Sequence, residues 1–102
     1  MSPLTEYPRI LSDTALAIVS HTTERGRLTT FSVTLLARHG GVWQTVRVYD
    51  NAHGRNDMHR HTLSGGKEAA VTFHHGTASE AFQIAIAEID AGYEEMIIGW
   101  LR

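Results

Sequence analysis

Between residues 15 and 74, short runs of β-branched and apolar residues alternate with clusters of turn formers, and that rhythm constrains the fold most. Residues 15–23 (ALAIVSHTT) suit a strand, and Glu24-Arg25-Gly26-Arg27 reads as a hairpin turn with Gly26 free to take positive φ. Residues 28–38 follow as a second strand, with Phe31, Val33 and Leu35 on one face and Thr30, Ser32 and Thr34 on the other. His39-Gly40-Gly41 reverses the chain into a third strand over 42–50, where Trp43, Thr45, Arg47 and Tyr49 oppose Val42, Val46 and Val48. Residues 51–57 are turn formers, 58–63 read as a fourth strand, Ser64-Gly65-Gly66 turns again, and 67–74 make a fifth. This succession indicates an antiparallel meander.

The periodicity then changes. Thr77-Ala78-Ser79-Glu80 is a capping box, and Phe82, Ala85, Ile86, Ile89, Tyr93, Met96, Ile97 and Trp100 recur at helical spacing. Gly92 costs about 1 kcal/mol relative to alanine and marks an expected kink. A weaker stripe of Ile84, Ala87 and Ile98 lies on the far side of the helix, which suits contact with a second copy or with a partner protein. At 102 residues the chain is expected to be one α+β domain. The expected architecture is a five-stranded, mostly antiparallel meander over 15–102, with one long C-terminal helix packed on one face. Residues 1–14, which hold Pro3 and Pro8, are expected to form an N-terminal arm.

Composition narrows the function classes. There is no cysteine, hence no disulfide framework and no thiolate metal site. No basic stretch followed by an apolar run opens the chain, and no segment reaches the roughly 18 apolar residues of a membrane span, so a cytoplasmic protein with no membrane contact is expected. The net charge is −2, with a slight basic excess before residue 77 and an acidic helix after it. The near-neutral pI of 6.4 argues against broad nucleic-acid binding.

The chemistry-bearing window is 53–75. It holds His53, His59, His61, His74 and His75 beside Asp50, Asn51, Arg55, Asp57 and Arg60. His59 and His61 alternate on a strand, which puts both imidazoles on one face roughly 6–7 Å apart. One reading is acid–base cleavage of RNA without a cofactor. His59 and His61 take and give the proton, Asp50 orients an imidazole, Arg55 and Arg60 contact the phosphate, and Tyr49 stacks on a base or positions the phosphate. A second is a divalent transition-metal site of His59, His61 and His74, with His53 and Asp50 as alternative third ligands. The third treats these histidines as ordinary sheet residues and the protein as a binding module. Asn51 and Asp57 read as turn residues bonding local backbone, and Trp43 and Trp100 as core.

The run Val46-Arg47-Val48-Tyr49-Asp50-Asn51-Ala52-His53-Gly54, followed by His59-Arg60-His61, a strand and an acidic helix, resembles two small prokaryotic families. One is an uncharacterised family with an R-Y-D-x-A-H-G … H-R-H core. The other comprises the TumE-like toxins of toxin–antitoxin pairs, which carry a Y-D-N … H-x-H pattern after an antiparallel sheet. In this chain Val48 is interposed between Arg47 and the Tyr-Asp pair. The resemblance implies a cytoplasmic protein of bacterial or phage mobile-element type, directed at nucleic acid and held by an antitoxin-like partner.

Overall fold

Each of these turn clusters closes a hairpin in the structure, a computed structural model that describes residues 3–102. The elements are β1 (Leu4–Ser12), β2 (Ala15–Glu24), β3 (Arg27–His39), β4 (Val42–Asp50), β5 (Asn56–Thr62), β6 (Gly66–Lys67), β7 (Val71–His74) and α1 (Ala78–Leu101). Strands β1 to β6 lie side by side in sequence order, and β7 also pairs with β5. Every pairing is antiparallel. Gly26 takes the expected positive φ, at 78°. The α+β class and the meander are as read from the sequence.

The sheet differs from the sequence reading in several details, and β5 begins at Asn56, inside the expected turn. Leu4–Ser12, inside the expected arm, is an edge strand paired with β2, while residues 1 and 2 of that arm lie outside the described residues. Pro8 is compatible with this place because an edge strand needs no donor on its outer side. The fifth expected strand is interrupted. β6 and β7 occupy the same edge of β5, and between them the Glu68 amide donates to the Arg60 carbonyl at 2.8 Å. Lastly, β4 carries a bulge: Leu35 pairs with Arg47 and Leu36 with Thr45, so Val46 is the extra residue. The bulge resets the alternation and puts Val46 in the core beside Tyr49, against the expected phase.

The helix starts where the capping box predicts. The Glu80 amide donates to Thr77 Oγ1 at 3.1 Å, and the Thr77 amide donates to Glu80 Oε1 at 2.9 Å. It runs as one continuous helix through Gly92. Ala81, Ala85, Ile89 and Trp100 are buried against Ala17, Val19, Phe31, Val33, Leu35, Ala37, Val46, Tyr49 and Met58. Phe82, Ile86, Tyr93, Met96 and Ile97 flank that contact, so the predicted stripe is the packed face. His21 and His39, with no role read from the sequence, meet the helix edge-on: His21 against Phe82 at 5.2 Å and His39 against Trp100 at 5.9 Å. Arg9 of β1 grips Asp90, its Nε 2.8 Å from Oδ1. This exposed pair is worth at most about 1 kcal/mol. Trp43, expected in the core, is 40% exposed.

The other face of the sheet has no helix. Cross-strand partners share a face, so one row across it reads Glu6, Ser20, Ser32, Asp50, Asp57, Thr72. The next row reads Pro8, Ile18, Thr34, Val48, His59. Serine, threonine and charge fill the first of these rows, while Ile18 and Val48 in the second, with the Leu16–Leu36 pair beyond them, are half-buried apolar residues on the same face.

Candidate functional site

Strand β5 distributes the expected site over both faces of the sheet. Its register with β4 is Arg47 to Arg60, Val48 to His59, Tyr49 to Met58 and Asp50 to Asp57. The Tyr49 hydroxyl donates to Glu88 of the helix at 2.7 Å, which fixes Tyr49, Arg47 and Arg60 on the covered side. His59 and Asp50 lie on the bare side. The expected set of Asp50, His59, His61, Arg55, Arg60 and Tyr49 is therefore not one constellation.

On the bare side Asp50 and Asp57 stand opposite each other. Asp57 is only 2% exposed; Thr72 Oγ1 donates to it at 3.0 Å and Arg55 Nη2 lies 3.8 Å away. Asp50 accepts from the Ala52 amide at 3.2 Å. Among the described residues no hydrogen bond joins Asp50 to an imidazole, so the orienting role expected of it is not formed. His59 is nine-tenths buried, and among the described residues its Nδ1 has no partner. Asp57, expected as a turn residue, is instead a buried strand residue. The signal for it was present, since Asp57, His59 and His61 continue one period-two series. Asn51 does bond backbone, but across the sheet: its side chain accepts from the Phe31 amide at 3.0 Å and donates to the Thr29 carbonyl at 2.9 Å.

On the covered side a cleft of about 210 Å³ opens between the end of β5 and the last turns of the helix. Arg47, Arg60, His61, Glu68 and Glu95 line it, with Trp100. His61 reaches it where β5 ends and the chain turns into β6. Burial lowers the His61 pKa, helped by the positive charges of Lys67 and His59, so its neutral form is favoured. Arg47 Nη1 donates to the Tyr49 hydroxyl at 3.4 Å, while its buried Nε has no partner among the described residues. Among the described residues no ion pair joins Arg47 or Arg60 to Glu68 or Glu95. Tyr49 itself is fully buried, so the expected stacking on a base is closed to it. Its pKa is pushed up to about 12, first by burial and then by Glu88 against the opposing pull of Arg47. The sequence reading did not single out Arg47, Glu68 or Glu95. Arg47 stands in the 46–54 motif, but the glutamates come from β6 onward and from the helix, and only the fold unites them with it.

A second cavity, about 290 Å³, lies at the start of β5 and is lined by Arg55, His74 and His75 with Asn56 and Thr72. Asn56 anchors it, donating to the carbonyls of His74 at 3.1 Å and Gly76 at 3.0 Å. His74 Nε2 lies 3.3 Å from Glu80 Oε1. A Cβ at Gly76 would overlap both of those atoms, so a larger residue there would push the His74 and Glu80 side chains aside. His74 pairs with Asn56, three residues from His59 and five from His61, or roughly 10 and 17 Å along the strand. The proposed metal trio His59, His61 and His74 is not assembled, and among the described residues no three His, Cys, Asp or Glu side chains are placed to hold a metal ion. His53 sits exposed in the loop before β5.

Fold and site together define a small α+β domain, helix-backed on one side, with its polar chemistry strung along a single strand. The chain belongs to DUF7718, a family described as a domain of unknown function, which matches residues 2–101. No curated protein and no solved structure matches it. Among the described residues no helix is long and apolar enough to cross a membrane.

Proposed function

We propose that the protein is an RNA-directed hydrolase of toxin type, acting in the cleft between β5 and the helix. One observation carries this reading: His61, biased toward its neutral form, shares a cleft with Arg47 and Arg60. In this reading His61 accepts the 2′-hydroxyl proton as that oxygen attacks phosphorus. The two guanidinium groups neutralise the phosphorane, and the 5′-oxygen leaves with a proton from water. The role expected of His59 as the second acid–base group is dropped, because its ring is buried on the other side of the strand. The chemistry runs on side chains alone, so cleavage should survive a chelator. The likeness of the 46–61 motif to TumE-like toxins supports a cytoplasmic toxin–antitoxin setting.

The test is cleavage of a short single-stranded RNA by purified protein. His61→Ala should lose at least about 100-fold in rate, and His59→Ala should retain cleavage. Cleavage by His61→Ala at the wild-type rate would refute the assignment.

A non-catalytic reading has its own support. Around the last helical turn Val42, Ile98 and Leu101 are exposed, Ile98 by 50%. The last turn is close to two hairpins, through the His39–Trp100 ring contact and the Leu63 amide donating to the Trp100 carbonyl at 2.9 Å. An apolar surface there suits a second copy or an antitoxin-like partner. If this reading holds, Ile98→Asp dissociates the assembly on a sizing column and no hydrolysis is found.

A further inference from the structure

We propose that Arg55 and His75, beside the Glu80-paired His74, form a second phosphate-contact site, and that the ligand of this protein is a single-stranded RNA long enough to span from that site to the β5–helix cleft. This rests on the RNA-directed reading above and extends it to the path of the strand.

The second cavity holds three nitrogen-rich side chains, and the carboxylates near it are already engaged. Asp57 is held by Thr72, and Glu80 accepts from the Thr77 amide at 2.9 Å and holds His74 Nε2 at 3.3 Å, so His74 shapes the cavity wall while Arg55 and His75 face a ligand. The Arg55 side chain is 70% exposed, and its ion pair to Asp57 is a loose 3.8 Å. It is therefore free to swing to a ligand at little cost. Gly54 and Gly76 line the same cavity without side chains, so a phosphate can approach the backbone there.

Position adds to this. The two cavities sit at opposite ends of β5, with Asn56 lining one and His61 the other. Five residues of strand separate them, about 17 Å. The edge between them is the interrupted β6–β7 segment, where residues 65–71 are all exposed. Apart from Lys67, Glu68 and Val71 these are glycine and alanine. A low, open edge with cationic groups at both ends, Arg55 at one and Arg60 with Lys67 at the other, suits a strand read through its backbone without sequence preference.

The probe is a fluorescent 12-nucleotide single-stranded RNA, with affinity read by anisotropy across a salt series and cleavage measured separately on the same protein. Arg55→Gln/His75→Ala should weaken 12-mer binding about tenfold, roughly the effect of removing one charge-assisted hydrogen bond. The salt slope should fall in magnitude by about 0.7 for each phosphate no longer neutralised. Arg38→Gln, at the far end of β3, should bind as the wild type does. Both variants change exposed side chains, and matched melting curves confirm that the fold is kept. A double variant that binds like the wild type overturns the second site even if cleavage is found, and so does a loss equal to that of Arg38→Gln. If the double variant loses affinity while the wild type cleaves nothing, the second site stands and the hydrolase reading falls. No binding of the 12-mer by the wild type overturns the site.

Discussion

The two faces of this sheet follow different rules. The covered face is built from Ala17, Val19, Val33, Leu35 and Val46, closed by Ala85 and Ile89 of the helix. Its buried polar groups at Tyr49 and Arg47 are tied to each other and, through Tyr49, to Glu88. The bare face carries Ser20, Ser32, Asp50, Asp57 and His59 in register. One helix supplies one layer of cover, so a strand of this sheet must be apolar on one side and tolerant of water on the other. This difference locates the chemistry. The ionisable groups of the bare face are satisfied locally or buried singly, whereas at the margin of the covered face, where the helix ends, cations and carboxylates meet in an open cleft.

Truncations in adjacent strands separate the two faces most strongly. Leu35→Ala, at a site with no exposure, should cost about 2–5 kcal/mol. Ile18→Ala, half-buried on the bare face, should cost about 1 kcal/mol. Urea unfolding measures both, and equal losses would mean that the bare face is covered in solution. A smaller effect sharpens the polar part. Tyr49→Phe keeps the ring packed on Phe73 at 5.0 Å but leaves Arg47 without its hydroxyl acceptor and Glu88 without its donor. The expected cost is about 1–2 kcal/mol. A neutral result in the same unfolding assay would show that the Arg47–Tyr49–Glu88 chain does not bind helix to sheet.

The legible part of this molecule was local. Gly26, Gly40 and Gly41 take the positive φ that hairpins demand, and the Thr77–Glu80 box begins the helix where its spacing places it. What was not legible depends on partners remote in sequence. Leu4–Ser12 looks like an arm because Pro8 argues against a strand, yet β2 offers it an edge where a missing donor costs nothing. The Val46 bulge has no composition signal and reverses the phase of residues on either side of it. The site suffers in the same way. Alternation alone puts His59 and His61 on one strand face, yet His61, at the turn into β6, lines the cleft beside the helix and His59 does not. Where the helix lies decides which of the two is open to a ligand. Arg47 and Arg60 are thirteen positions apart, and only the β4–β5 register makes them neighbours.

The finest probe of the comparison is the acid limb of stability at His61. Its folded pKa lies below the 6.5 of an unfolded histidine, by burial first and then by Lys67 and His59. Below pH 6.5 the unfolded chain therefore binds more protons at this position than the folded one, and stability rises with pH there. The contribution is fully present above pH 6.5 and is lost as pH falls through the lower, folded value. His61→Gln removes the titration, so its unfolding free energy should fall less steeply than that of the wild type between pH 6.5 and 5. The two curves should run parallel above pH 7. Urea midpoints across that range make the measurement. Identical slopes would mean that His61 titrates as a solvated histidine, and the cleft would then lose the neutral base on which its proposed chemistry depends.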